Sequence, residues 1–245
     1  MCVRFATWNI ACGSLGYNFR KKESIIDFFV SKNVDICFLQ EVDRFAERSC
    51  FLDVPEYFRG YTGMNVCFYP SFTMEKEDGV HVREYGNGVL SRYEIVESWR
   101  VDLGPVGSVP GAHIWESERR SALFAKVRID GKDVTCVSTH LAYTENRTAS
   151  KIRREQVDVL VAALGDCVRG GGRVFVGGDF NVTLCHDDLA VMRGIFGDKV
   201  AGREALSGVV GTGVDYLFQL GGAWRGWAVC PAEGLSDHPM IVADL

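Results

Sequence analysis

Apolar positions along this chain of 245 residues fall into two stretches of one design, each running strand, amphipathic helix, strand, with a strand-rich middle between them. In the first, residues 3–9 read as a strand and 23–31 as a helix with Ile25, Ile26, Phe29 and Val30 apolar. Residues 35–39 then form a second strand that stops at Gln40 and Glu41. In the second, residues 133–139 read as a strand stopping at His140, 149–168 carry the strongest helical pattern in the chain, and 173–176 form a buried strand. The Gly177-Gly178 pair is expected to let the backbone turn there and to deliver Asp179 and Asn181 two positions apart. If the chain stays extended, both project to one side; in the plainer alternative, Asp179 caps a turn and Asn181 bonds its own backbone.

The middle reads as extended at 88–90, 94–99 and 122–129, and Asp130-Gly131 is a hairpin signal because that pair tolerates positive φ. Residues 101–117 are expected to form a surface loop that overhangs a site. Beyond Leu184 a polar, glycine-rich region leads to Asp215 at a strand start, and Ser236-Asp237-His238-Pro239 precedes a final strand at 240–243. One domain covering residues 1–245, monomeric, is the expected organisation.

Composition narrows the partners. A hydrophobic share of 47% supports a sizeable core, and a formal charge of −5 argues against a protein that coats nucleic acid nonspecifically. Arg119, Arg120, Arg147, Lys151, Arg153 and Arg154 could supply a local basic patch but read first as solvated surface. The basic start of the long helix opposes its macrodipole unless a phosphate or an acidic partner compensates. Nine cysteines without a CxxC pair give no zinc or disulfide framework; they read as reduced core thiols of a cytoplasmic protein. No apolar run approaches the roughly 18 residues of a membrane span.

Polar groups recur at one kind of place, the ends of these strands: Asn9, Glu41, His140, Asp179, Asn181, Asp215, Asp237 and His238. Oxygen donors of this type suit a hard cation such as Mg²⁺, and histidine can exchange a proton or neutralise a phosphoryl oxygen near neutral pH. A thiol nucleophile lacks a nearby histidine in sequence, and a serine hydrolase lacks its G-x-S-x-G elbow.

In this order, Thr7-Trp8-Asn9-Ile10, Leu39-Gln40-Glu41-Val42, Ser138-Thr139-His140-Leu141, Gly178-Asp179-Phe180-Asn181, Val214-Asp215-Tyr216-Leu217 and Ser236-Asp237-His238-Pro239 resemble the endonuclease/exonuclease/phosphatase (DNase-I-like) superfamily over residues 5–245. The resemblance implies an α/β fold, a four-layer α/β/β/α sandwich of two packed mixed sheets flanked by helices. It implies Glu41 as the principal Mg²⁺ carboxylate, with Mn²⁺ as an alternative ion and Asn9 and Asp237 as direct or water-mediated ligands. Asp215 resembles the partner of His238, Asp179 the acid that orients or deprotonates water, Asn181 the amide on a phosphate oxygen, and His140 a second histidine facing the scissile phosphate. Arg120 and Asn87 resemble substrate-binding positions. Water activation by Asp179 with a charged His238 is preferred to the reverse assignment.

The implied activity is metal-dependent hydrolysis of a phosphodiester or phosphomonoester by in-line attack of water. A nuclease acting on DNA or RNA is a narrower alternative, and a catalytically silent binding module is the rival of another class. The run W-N-I-A-C-G departs from the W-N-I-N-G of abasic-site nucleases, and His140-Leu141-Ala142 departs from the His-Leu-Gln of sphingomyelinases. Substrate identity is expected in the loops around 61–85, 101–120 and 184–213.

Overall fold

The computed structural model describes residues 2–13, 22–74, 76, 79–104, 119–143, 147–169, 171–202 and 213–245. Strand β1 (Arg4–Asn9), helix α1 (Lys22–Ser31) and strand β2 (Ile36–Arg44) make the first strand-helix-strand unit, with β1 and β2 parallel. Helix α2 (Val54–Thr62) and the hairpin of β3 (Asn65–Met74) and β4 (Arg83–Ser91) follow. Strands β5 (Glu94–Asp102), β6 (Ser121–Ile129) and β7 (Lys132–His140) lead into helix α3 (Arg147–Arg169) and β8 (Val174–Asp179), and β7 and β8 are again parallel. Helix α4 (Ala190–Phe196), β9 (Val200–Ala201), β10 (Asp215–Leu220), β11 (Gly226–Cys230) and β12 (Met240–Asp244) complete the order.

Two six-stranded mixed sheets result, β11-β12-β1-β2-β4-β3 and β5-β6-β7-β8-β10-β9. Each is built around one parallel pair made by a helical crossover, which is how a duplicated strand-helix-strand pattern folds. Phe5, Ile36, Phe38, Cys136, Phe175 and Leu217 fill the space between the sheets. Trp8, Cys37 and Leu39 face outward onto Ile25, Phe29 and Phe58 of α1 and α2; Val137, Val174 and Val176 face Val157, Leu160 and Leu164 of α3. Period-two alternation thus gives every central strand two apolar faces and yields the four layers.

Several segments differ from the sequence expectation. Residues 61–85, expected as loop, hold all of β3; the polar stretch after Leu184 holds α4; and β4 extends well beyond 88–90. Most of the loop expected at 101–117, with residues 203–212 of the loop expected at 184–213, lies outside the described residues. Arg153 is not solvated surface: it is 4% exposed, with Nε 2.9 Å from Asp188 Oδ2 and Nη1 donating to the Ala142 carbonyl at 3.1 Å. Arg154 Nε reaches the other Asp188 oxygen at 3.0 Å, so an acidic partner does answer the basic start of α3. Gln156 of the same turn accepts from Ala142 N–H at 2.9 Å, which pins the segment after His140 to the helix. Among the described residues no helix is long and apolar enough to cross a membrane.

Candidate active site

The inner rows of β1, β7 and β8 grade from apolar to polar toward one end of the sandwich. Along β1 the inward residues are Phe5, Thr7 and Asn9; along β7, Cys136, Ser138 and His140; along β8, Phe175, Gly177 and Asp179. Register aligns these rows, with His140 opposite Asp179 on one side and Asp215 opposite Asp179 on the other. Just beneath, Gln40 Nε2 donates across the sheets to Ser138 Oγ at 3.1 Å, and Ser138 Oγ donates to the Leu39 carbonyl at 2.9 Å. This polar layer holds the two sheets at a set spacing where apolar packing stops.

Glu41 reaches the site by a break in the pleat. Gln40 already faces inward, so a regular strand would turn Glu41 outward. The β2–β4 register shifts between Leu39 and Val42, and Glu41 sits at φ 55°, a left-handed conformation held by its surroundings. Cys12, 3% exposed and itself at φ 58°, directs its thiol at Glu41 Oε2, 3.4 Å away.

Asn9 bridges the two halves. Its Nδ2 lies 3.1 Å from Glu41 Oε1 and 3.0 Å from Asp179 Oδ2, while its Oδ1 accepts from Ala11 N–H at 3.0 Å. Asp179 uses its two oxygens differently, and the turn reading holds for one of them. Oδ1 accepts from Asn181 N–H at 2.8 Å, an Asx-type turn, whereas Oδ2 faces Asn9 and both histidines. Asn181 is not extended: at φ 53° it turns Nδ2 to the Leu141 carbonyl, 2.9 Å, and to His140 Nε2, 3.0 Å. The glycine pair is not a turn either, because β8 runs through Gly177 and Gly178 to Asp179. A side chain there would collide instead, at Gly177 with the Phe38 ring and at Gly178 with the Thr139 carbonyl.

The two histidines are driven apart electrostatically. His140 is 5% exposed; burial, then the charges of Arg120 and His238, lower its pKa well below the ordinary value. Arg120 Nη1 stands 3.0 Å from His140 Nδ1, so this arginine, expected on substrate, is buried behind the histidine. Burial also opposes charge on His238, but Asp179, Asp215 and Asp237 outweigh it and raise its pKa to about 10. His238 Nδ1 is 2.8 Å from Asp215 Oδ2 and Nε2 is 3.6 Å from Asp179 Oδ2. Burial raises Asp215 to about 7 despite His238, and the proton of that pair rests on the imidazole. One neutral and one charged histidine therefore flank a shared carboxylate.

Asp237 is exposed at the rim beside His238, and Asn87 is 1% exposed with Nδ2 donating to the Ser121 carbonyl at 2.8 Å. Asn87 thereby supports the start of β6, next to Arg120, from the opposite sheet. Ser236 had no assigned role in the sequence reading. Its Oγ donates to the Asn9 carbonyl at 2.7 Å and accepts from His238 N–H at 3.0 Å, tying the His238 turn to β1. Its position inside the Ser-Asp-His-Pro motif was the available signal. Ser236→Ala should cost about 1–2 kcal/mol of stability, read from the urea midpoint, because a buried carbonyl and an N–H lose their partner together.

Comparison with solved structures places this geometry in context. An endonuclease/exonuclease/phosphatase from Beutenbergia cavernae aligns over 99% of this chain and 71% of its own, with TM-score 0.76 and 19% identity. One from Bacteroides vulgatus aligns over 100% and 98%, with TM-score 0.71 and 21% identity. The human Nocturnin catalytic domain with bound sulfate anion aligns over 99% and 92%, with TM-score 0.71 and 18% identity. Comparison with curated proteins gives no match. The model of the Endonuclease/Exonuclease/phosphatase family matches residues 6–238, nearly the whole chain, and with two mixed sheets flanked by helices around these motifs the protein belongs to that family.

Proposed function

We propose that this chain is a divalent-metal-dependent phosphoesterase that hydrolyses a phosphodiester or phosphomonoester by in-line attack of water. The observation that carries the reading is the row Asp215–His238–Asp179, whose ligand atoms lie within 4.8 Å of one another and which faces Glu41 through Asn9. Four carboxylates converge with one charged histidine, an excess of negative charge that suits a cation bound by oxygen donors. Glu41, with Asn9 and Asp237 as direct or water-mediated ligands, would hold Mg²⁺ or Mn²⁺, which would supply Lewis-acid neutralisation of phosphoryl charge. Asp179 accepts the proton of the attacking water, and Asn9 and Asn181 keep its two oxygens oriented. Charged His238 donates to a phosphoryl oxygen as negative charge builds there, and Asp215 holds its ring. Neutral His140, backed by Arg120, and the Asn181 amide position the phosphate.

A narrow phosphoester is favoured over a long nucleic acid. The net charge is −5, and Arg44 and Arg48, on the chain just beyond Glu41, are already paired with Asp53, Glu84 and Asp43. Assaying phosphoinositides, sphingomyelin, nucleotide monoesters, DNA and RNA with Mg²⁺, Mn²⁺ and a chelator tests the proposal. Hydrolysis that a chelator abolishes is expected. No turnover of any of these, together with no Mg²⁺ binding in the millimolar range by calorimetry, would leave a silent binding module instead.

A further inference from the structure

At the end of the sandwich away from the candidate active site, three side chains around Phe175 carry buried polar atoms with no hydrogen-bond partner among the described residues. Arg173 precedes β8 and Gln219 lies near the end of β10, one strand length, roughly 15–20 Å, from Asp179 and Asp215. Gln219 is 0% exposed and points between the sheets opposite Phe175, yet neither its Nε2 nor its Oε1 has a hydrogen-bond partner among the described residues. The buried Arg173 Nε and Trp224 Nε1 are likewise unpartnered. Buried polar groups left this way are costly, so such a cluster calls for a ligand that satisfies it.

The arrangement specifies the ligand's charge. The Arg173 guanidinium lies 5.5 Å over the Phe175 ring, and the Trp224 ring centre is 5.8 Å from that of Phe175. A Cβ built on Gly222 would stand 3.1 Å from both Arg173 Nη2 and Gln219 Oε1, so the missing side chain keeps the approach open. The unpartnered side-chain atoms here are N–H donors from a guanidinium, an indole and an amide, against the single acceptor oxygen of Gln219, and Arg173 has no carboxylate partner among the described residues. Water could meet some of these donors, but only an anion meets them and balances the charge. We propose that Arg173, Gln219 and Trp224 form a binding site for a small oxyanion, a carboxylate or a phosphate, separate from the catalytic end of the molecule.

The test measures melting temperature against sodium acetate, phosphate and sulfate, with sodium chloride at matched ionic strength as reference. Acetate and phosphate distinguish the two oxyanion sources. Stabilisation of about 2–4 °C beyond chloride by either one is expected in the wild type and in His238→Ala, and its loss is expected in Arg173→Met. Gln219→Glu provides a second reading with nearly the same shape, since it places the anion inside the pocket. It should raise the melting temperature without added anion and abolish the response. The site is overturned if chloride does as well as the oxyanions, if Arg173→Met keeps the response, or if Gln219→Glu lowers the melting temperature as a buried carboxylate in a water-filled pocket would.

Discussion

His238→Ala should lower kcat for the proposed metal-dependent phosphoester hydrolysis about 10²-fold or more, the scale seen when one preorganised electrostatic stabiliser is lost. The imidazole has no freedom to be replaced by solvent: its Nδ1 is fixed by Asp215 at 2.8 Å and its backbone N–H by Ser236 at 3.0 Å. Circular dichroism would check that the variant is folded before rates are compared. The pH profile decides between the two assignments of acid and base. With His238 raised to about 10 by the carboxylates around it, a charged stabiliser leaves kcat level through neutral pH and lets it fall as the proton is lost on the alkaline side. A His238 base would instead make the rate climb with pH over the same range. Asp215→Asn removes an anion that favours the charged ring, so the His238 pKa drops and the alkaline limb moves to lower pH. A limb that stays in place after that change would exclude His238 as its origin.

The candidate site residues were readable because they interrupt an apolar pattern. Asn9, His140 and Asp179 each continue an inward row of alternate residues, so parity alone places them on the inner face once the strands are recognised. Glu41 breaks that parity; the sequence marks it as an acid ending an apolar strand, but only the bulge and its left-handed backbone explain how it turns inward. Asn181 was grouped with Asp179 by spacing, and the two do meet, though through a turn and not through an extended strand. What could not be read was pairing between segments far apart in the chain. Gln40 with Ser138, Asn87 with the Ser121 carbonyl, and Arg153 with Asp188 join residues 98, 34 and 35 positions apart, and no local periodicity encodes such separations. Helix α2 likewise contains Pro55 and Gly60, which obscure a helical pattern; Asp53 caps it by accepting from Glu56 N–H at 3.2 Å, and Gly63 ends it at φ 67°.

Gly177→Ala should destabilise the protein by about 3 kcal/mol, the upper end of the usual cost of overpacking, and lower the melting temperature by about 6–12 °C. The added Cβ would sit 2.2 Å from Phe38 Cδ2, 2.7 Å from its Cγ and 3.0 Å from Leu217 Cδ2. Phe38 is 0% exposed and packed between the sheets, so its ring cannot swing into solvent. The origin of the cost is therefore specific: glycine is required because the opposite sheet is too close, and not because the chain turns. Phe38→Leu in the same molecule separates these causes. Trimming the ring should return part of the loss, giving a favourable coupling of about 0.5–3 kcal/mol in a double-mutant cycle. A purely additive cycle would restore backbone freedom as the reason for the glycine. Gly178→Ala supplies the contrast, since its Cβ would meet the Thr139 backbone oxygen at 2.2 Å. No side-chain trimming relieves that clash. Strand β7 must move, and with it His140, whose Cα pairs with Asp179 one position beyond the Thr139–Gly178 pair. Gly177→Ala with Phe38→Leu should therefore recover part of the stability, whereas Gly178→Ala should lose stability and the proposed hydrolysis together, and Phe38→Leu should rescue neither.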